Sequence, residues 1–261
     1  MQDVLKSSIL QAIYREAQRS GQPIYCIVDD TIASHTRPSS QAVHPIEAAY
    51  FHQSHLKGCQ DYGHQVVSVM LSCNGITLNY AVILYDKSRS KIQIVQEIAE
   101  ELPAAPVISY FLCDSWYTTA KVMDRFIRKG FYTVGALKTN RILYPCGIRQ
   151  KASAFALHLR KTDPDVSLVT VGSREFYVYR YEGELNGIPN AAVILSYPKV
   201  DLGIPKHCVY FSLQMQSYPR RRSWTPIRNG GRLNYFSGRA KVNLRWIVIK
   251  SDPVRESKGI G

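Results

Sequence analysis

Five short apolar runs, broken by one tight turn and two helical segments, constrain this chain more than any other feature. `PIYCIVDD` at 23–30 reads as a buried strand: it is short, rich in β-branched residues and opens on Pro23. `HQVVSVMLSC` and `ITLNYAVILYD` flank Asn74-Gly75, which predicts a β-hairpin because both turn positions accept positive φ. `KIQIVQEIAEEL` sets Ile92, Ile94, Val95 and Ile98 at helical spacing and stops before Pro103 and Pro106. `PVISYFLCD` is the next strand, Val122, Met123, Phe126 and Ile127 mark a helix closed by Gly130, and `FYTVGAL` follows as a strand. The order strand, hairpin, helix, strand, helix, strand predicts an α/β fold, a mixed sheet flanked by helices. It puts Asp30 and Asp114 at the carboxyl ends of two strands, where open α/β sheets place their sites.

The rest of the chain is less periodic. Residues 1–21 form a charged amphipathic helix, and 36–63 read as a polar loop with one short helix. From about Leu143 to Pro198 the pattern becomes short β pieces separated by Gly and Asn turns, and `HCVYFS` at 207–212 is one more sheet strand.

A carboxylate at a strand end has two readings. Asp114 could cap the following helix, and Asp29 and Asp30 could be turn residues. Two such ends in one sheet could instead converge on a hard divalent cation such as Mg²⁺. His35, His44, His52, His55 and His64 cluster near Cys59, but their spacing lacks the two close ligand pairs of a zinc site, so they read as polar loop residues. Lys138 and Arg141 in `ALKTNR` are either ordinary surface charge or, beside metal carboxylates, contacts to DNA phosphates.

No run of 18 uncharged apolar residues and no signal peptide is present, so a membrane partner is not expected and the cytoplasm is the default compartment. The six cysteines have no CxxC spacing and read as reduced. The net charge of +13 favours a polyanionic partner. Most of that charge is local, because residues 213–261 hold 11 basic and 2 acidic residues.

`IVDDT` together with `FLCDSWYTTAKVMDRFIRKGFYTVGALKTNR` resembles the DDE-type transposases of bacterial insertion sequences, the group with the Y-R-E-K signature. The resemblance covers about residues 22–212 and implies an RNase H-like core with a β-rich insertion. It implies three units: a partial catalytic core at 1–142, the insertion and a following core strand at 143–212, and a poorly structured basic tail at 213–261. In that family the aspartate before Thr and the aspartate of the second motif are catalytic metal ligands, which map onto Asp30 and Asp114. The implied partner is DNA carrying terminal inverted repeats. The implied cofactor is Mg²⁺ or Mn²⁺, two ions in an intact relative, with weak or single-ion binding expected here. Family members carry a sizeable DNA-binding region ahead of the first acid, whereas only 29 residues precede Asp30, so a remnant is expected.

The family also carries its third acid in Y-x2-R-x3-E-x6-K, and nothing after Ser212 matches it. Back-translated and read from the third base of each codon, the tail can spell that signature within a long amphipathic helix. Four positions allow no choice: Met215-Gln216 gives Ala, Trp224-Thr225 and Trp246-Ile247 give Asp, and Asn234-Tyr235 gives Leu, all compatible with that helix. The glutamate would span the codons of Leu233 and Asn234. The expectation is a frameshift near Ser212 and a catalytically inactive chain, since Glu256 has nothing to position it. Two other classes stay open. A metal-dependent nuclease on this fold would draw its third acid from Asp61, Asp86 or Asp124, and a non-enzymatic DNA-binding protein would use the basic tail as an arm.

Overall fold

Alternation along β1 (Ile24–Ser34) sets the two faces of the sheet. Ile24, Cys26 and Val28 are buried on one face, and Ile27 is buried on the other beside half-buried Tyr25. The computed structural model describes residues 2–36, 39, 46–54, 57–138, 140–171, 174–185, 187–198, 209–214, 224–226 and 249–251.

On one side β1 pairs antiparallel with β3 (Cys59–Cys73), which also pairs with β4 (Ile76–Tyr85) through the expected Asn74-Gly75 turn. Both turn residues have positive φ, 47° and 82°. On its other side β1 pairs parallel with β5 (Ser109–Cys113), and β5 pairs parallel with β6 (Phe131–Ala136). The core order is therefore β4-β3-β1-β5-β6. Each parallel step is bridged by a helix, α2 (Lys91–Glu101) before β5 and α3 (Ala120–Arg128) before β6.

Those two helices and the N-terminal α1 (Gln2–Ser20) pack on the Cys26–Val28 face. Ile9, Ile13 and Ala17 of α1, Ile94, Val95 and Ile98 of α2, and Val122, Met123 and Phe126 of α3 join one core with Val67, Val69, Leu71 and Phe111. The Phe111 and Phe126 rings stack with centroids 3.6 Å apart. Fully buried aromatics of this kind cost ~3–5 kcal/mol to truncate to alanine. Ser90 caps α2 in a reciprocal capping box with Gln93.

Two sequence expectations are corrected here. The polar segment 36–63, read as a loop with one short helix, contains β2 (Tyr50–Ser54) and the first residues of β3, which pair with each other. Its inward residues are His52 and Ser54, so the strand has no apolar alternation to betray it. The segment 143–198, read as β pieces alone, also contains α4 (Ala152–His158), a seven-residue helix that buries only Ala152 and Ala156.

The strand-rich part joins the same sheet. After β7 (Ile142–Leu143), a 3-10 turn and β8 (Gln150–Lys151) come β9 (Val166–Val171), β10 (Arg174–Leu185) and β11 (Ile188–Pro198), an antiparallel series. β12 (Val209–Gln214), close to the expected 207–212 strand, pairs with β11 on one side and with β6 on the other. A separate core of Leu143, Ala152, Leu185, Ile188, Val193 and Leu195 lies under this region.

The expected basic tail lies outside the described residues, apart from the end of β12 and a short antiparallel pair, β13 (Trp224–Pro226) and β14 (Ile249–Ser251). Cys26, Cys59, Cys73, Cys113 and Cys146 are free thiols, and Cys208 lies outside the described residues. Among the described residues no helix is long and apolar enough to cross a membrane.

Candidate active site

The parallel pairing of β1 with β5 ends at Val28↔Cys113. Asp114 follows directly after β5, whereas Asp29 and Asp30, expected at the carboxyl end of a strand or in a turn, lie inside β1, which continues to Ser34 paired with β3. Asp30 shares the parity of Cys26 and Val28, so it points to the helix face, where β3, α2 and the turn after β5 supply its partners.

Both oxygens of Asp30 are engaged. Oδ2 accepts from Lys91 Nζ at 2.9 Å and from Gln65 Nε2 at 2.5 Å, and Oδ1 accepts from the Tyr117 hydroxyl at 3.0 Å. Hydrogen bonds to an ionised group are worth ~1.5–3 kcal/mol each, and a buried carboxylate without them would be costly.

Asp114 is fixed differently. Its Oδ1 accepts the backbone N–H groups of Trp116 at 2.9 Å and Tyr117 at 3.3 Å, closing a turn. It does not cap α3: that position belongs to Thr119, whose side chain accepts from Val122 N. Tyr117, fully buried, therefore touches both acids, one with its hydroxyl and the other with its amide.

The turn is pinned to the sheet by Thr118. Its hydroxyl lies within hydrogen-bond distance of the carbonyls of Asp114, at 2.9 Å, and Ala136, at 2.8 Å. Gly135 makes room for it, because a Cβ there would sit 2.2 Å from Thr118 Oγ1 and 2.8 Å from Met123 Cε.

Burial opposes ionisation of Asp29 and Asp114. It pushes the Asp29 carboxyl up to about 6; the negative charges of Asp114 and Asp30 add to the rise, while the Asp30 amide and Lys91 oppose it. Burial likewise raises Asp114, with the Asp30 charge adding to it and Lys91 opposing. Burial, then the charge of Asp30, pushes the Tyr117 hydroxyl well up, so Tyr117 remains a neutral donor.

Lys138 and Arg141, singled out in the sequence, reach the same turn. Lys138 Nζ lies 4.7 Å from the centre of the half-exposed Trp116 ring, and Lys91 Nζ lies 4.8 Å from it. The half-buried Arg141 donates to the Thr118 carbonyl, so it braces the turn whatever else it contacts.

The other candidate acids are engaged elsewhere. Asp61 accepts from Ser34 at 2.6 Å and pairs with Lys57 at 2.7 Å, while Asp86 holds the Ser88 turn. Asp124 lies exposed on α3. His35 and His64 hydrogen-bond each other at 2.8 Å, His52 is buried on β2, and His44 and His55 lie outside the described residues. Among the described residues no group of three or more His, Cys, Asp and Glu side chains is disposed to hold a metal ion.

Sequence reasoning missed Lys91, Gln65 and Tyr117. Two of them carried a signal. Lys91 opens a helix, where the dipole favours acids and disfavours an ammonium. Gln65 stands at an inward position of β3, in phase with Val67, Val69 and Leu71. Tyr117 carried none.

A family model described as "Transposase DDE domain" matches residues 20–169, which is 150 of the 261 residues. No curated protein matches the chain significantly.

Proposed function

Because the chain belongs to the transposase DDE domain family, we propose that Asp30 and Asp114 are the acid pair of an insertion-sequence transposase of the bacterial group with the Y-R-E-K signature. Transposases act on DNA, the family generally uses divalent metal ions, and the mixed α/β sheet agrees with an RNase H-like domain. The observation that carries the residue assignment is Tyr117, which hydrogen-bonds both acids and so holds them at one end of the sheet.

DNA cleavage and strand transfer are the same in-line displacement at phosphorus, with water or a 3′-hydroxyl as nucleophile. The donor chemistry of Asp30 and Asp114 suits one Mg²⁺ or Mn²⁺, held weakly, which when bound supplies Lewis-acid activation of the nucleophile and charge stabilisation at phosphorus. The chain's own residues supply the frame. Gln65 and Tyr117 fix the orientation of Asp30, and the Asp114 turn fixes the second carboxylate. Lys138 and Arg141 flank that turn, where their charge suits the phosphates of a terminal inverted repeat.

Two acids do not make a two-ion clamp. The printed tail has no Y-x2-R-x3-E-x6-K, which supports a frameshift after about Ser212 and a chain that is catalytically inactive or nearly so. The test is a cleavage and strand-transfer assay on inverted-repeat DNA with Mg²⁺ or Mn²⁺, comparing this chain with one whose tail is restored to the alternative frame. The restored chain should be active, and Asp30→Ala should abolish that activity. Metal-dependent cleavage by the printed chain, lost in Asp30→Ala, would overturn the inactivity; activity of the restored chain that survives Asp30→Ala would overturn the site.

A further inference from the structure

The Asp30 carboxylate already has a cation. Lys91 Nζ lies 2.9 Å from Oδ2, with side-chain exposures of only 13% and 14% for the pair, and its charge also bears on Asp29 and Asp114. One ammonium thus bonds Asp30 and bears on two further acids. Gln65 and Tyr117 complete the ring of donors, and the Trp116 ring lies 4.8 Å from the ammonium on its remaining side.

The helix does not explain where Lys91 sits. It opens α2, and an ammonium at a helix N-terminus is disfavoured by the macrodipole. Attraction to Asp30, at 2.9 Å and between two side chains largely withdrawn from solvent, opposes that cost. A lysine placed for α2 alone would extend into solvent.

We propose that Lys91 is the resident cation of this acid centre, satisfying Asp30 so that a divalent ion binds only by displacing the ammonium from Oδ2. The inference rests on Asp30 being a metal ligand. It accounts for a largely covered basic side chain at a helix position that disfavours an ammonium. It also assigns α2 a role, since anything that draws Lys91 away, such as a DNA phosphate arriving over Trp116, frees the carboxylate.

The test is Mn²⁺ binding to the full chain by titration calorimetry, read together with thermal melts. Lys91→Met, which keeps the aliphatic stem and removes the charge, should tighten Mn²⁺ at least about tenfold, or reveal binding where the parent shows none. Lys91→Gln should do the same, and serves where the Met variant is poorly folded. Lys91→Arg, which keeps the charge, should remain at the parent's affinity. Disruption of structure alone would weaken binding, so the direction of the change separates displacement from damage. Unchanged or weaker binding in both folded neutral variants, with binding still abolished by Asp30→Asn, would overturn the role of Lys91 and leave Asp30 as a ligand. Mn²⁺ binding in Lys91→Met that survives Asp30→Asn would overturn the ligand assignment itself. No binding in any folded variant would overturn both.

Discussion

Strands β1, β5 and β6 run side by side in one direction, yet their two ends are built from opposite chemistry. At the amino end Tyr25, Tyr110 and Tyr132 stand in register, with ring centroids 5.6 and 5.7 Å apart. Beyond the last β1–β5 pair, β1 carries Asp29 and Asp30 and the turn after β5 carries Asp114, with Lys138 two residues past β6. The tyrosine row packs and stacks. Past Cys113 the chain leaves β5 through a turn, and the turn amides of Trp116 and Tyr117 hold the Asp114 carboxylate. Packing can therefore be changed at one end without touching the site at the other.

That separation is open to attack. The largest effect should come from Tyr110→Ala, which removes both ring contacts of the central tyrosine. With each aromatic pair worth ~0.5–1.5 kcal/mol beyond burial, a loss of about 3 kcal/mol is expected in denaturant unfolding. Amide exchange of Trp116 and Tyr117 in the native state should not change relative to global opening. Faster local exchange there would show that the two ends are coupled.

Gly135→Ala attacks the acid end through the sheet. Its Cβ would drive Thr118 off Asp114 and Ala136, and overpacking of this kind costs ~1–3 kcal/mol. The expected signature is selective: amides of Trp116 and Tyr117 exchange faster while the rest of β5 stays protected. A variant with parental exchange at those amides would remove Thr118 and Gly135 from the positioning of Asp114.

The smallest effect is electrostatic. Asp29 holds its proton up to about 6 in the folded protein against 3.8 ordinarily. Between those values the folded state binds more protons than the unfolded one, so stability is greatest at the acid side and falls as pH rises through the folded value. The Tm should drop by a few degrees between pH 4 and pH 6, at ~2–4 °C per kcal/mol for a chain of this size. Asp29→Asn should flatten that slope, and a slope unchanged in the variant would rule Asp29 out as its source.

Local readings succeeded where one segment carries its own signal. Asn74-Gly75 specifies its turn by the positive φ both residues accept, and the apolar runs leading to Asp30 and Asp114 announce buried strands that pair in parallel, although β1 continues past Asp30 to Ser34. They failed where the signal is a partner far away. β2 hides behind inward His52 and Ser54, and α4 buries two alanines and little else. Asp114 before a helical pattern looks like a cap, but four more residues pass before Thr119 takes that role.

Residue order thus determined the kind of sheet, the two acids and the end at which they gather, because period and turn chemistry act over a few neighbouring residues. Tertiary structure decided what the acids hold. Gln65 comes to Asp30 from 35 positions away, Lys91 from 61 and Tyr117 from 87. Hydrogen bonds and charge attraction select by distance in space, and only the pairing of β3 with β1 and the packing of α2 and the turn after β5 onto one face of the sheet bring those donors within 3 Å of one carboxylate.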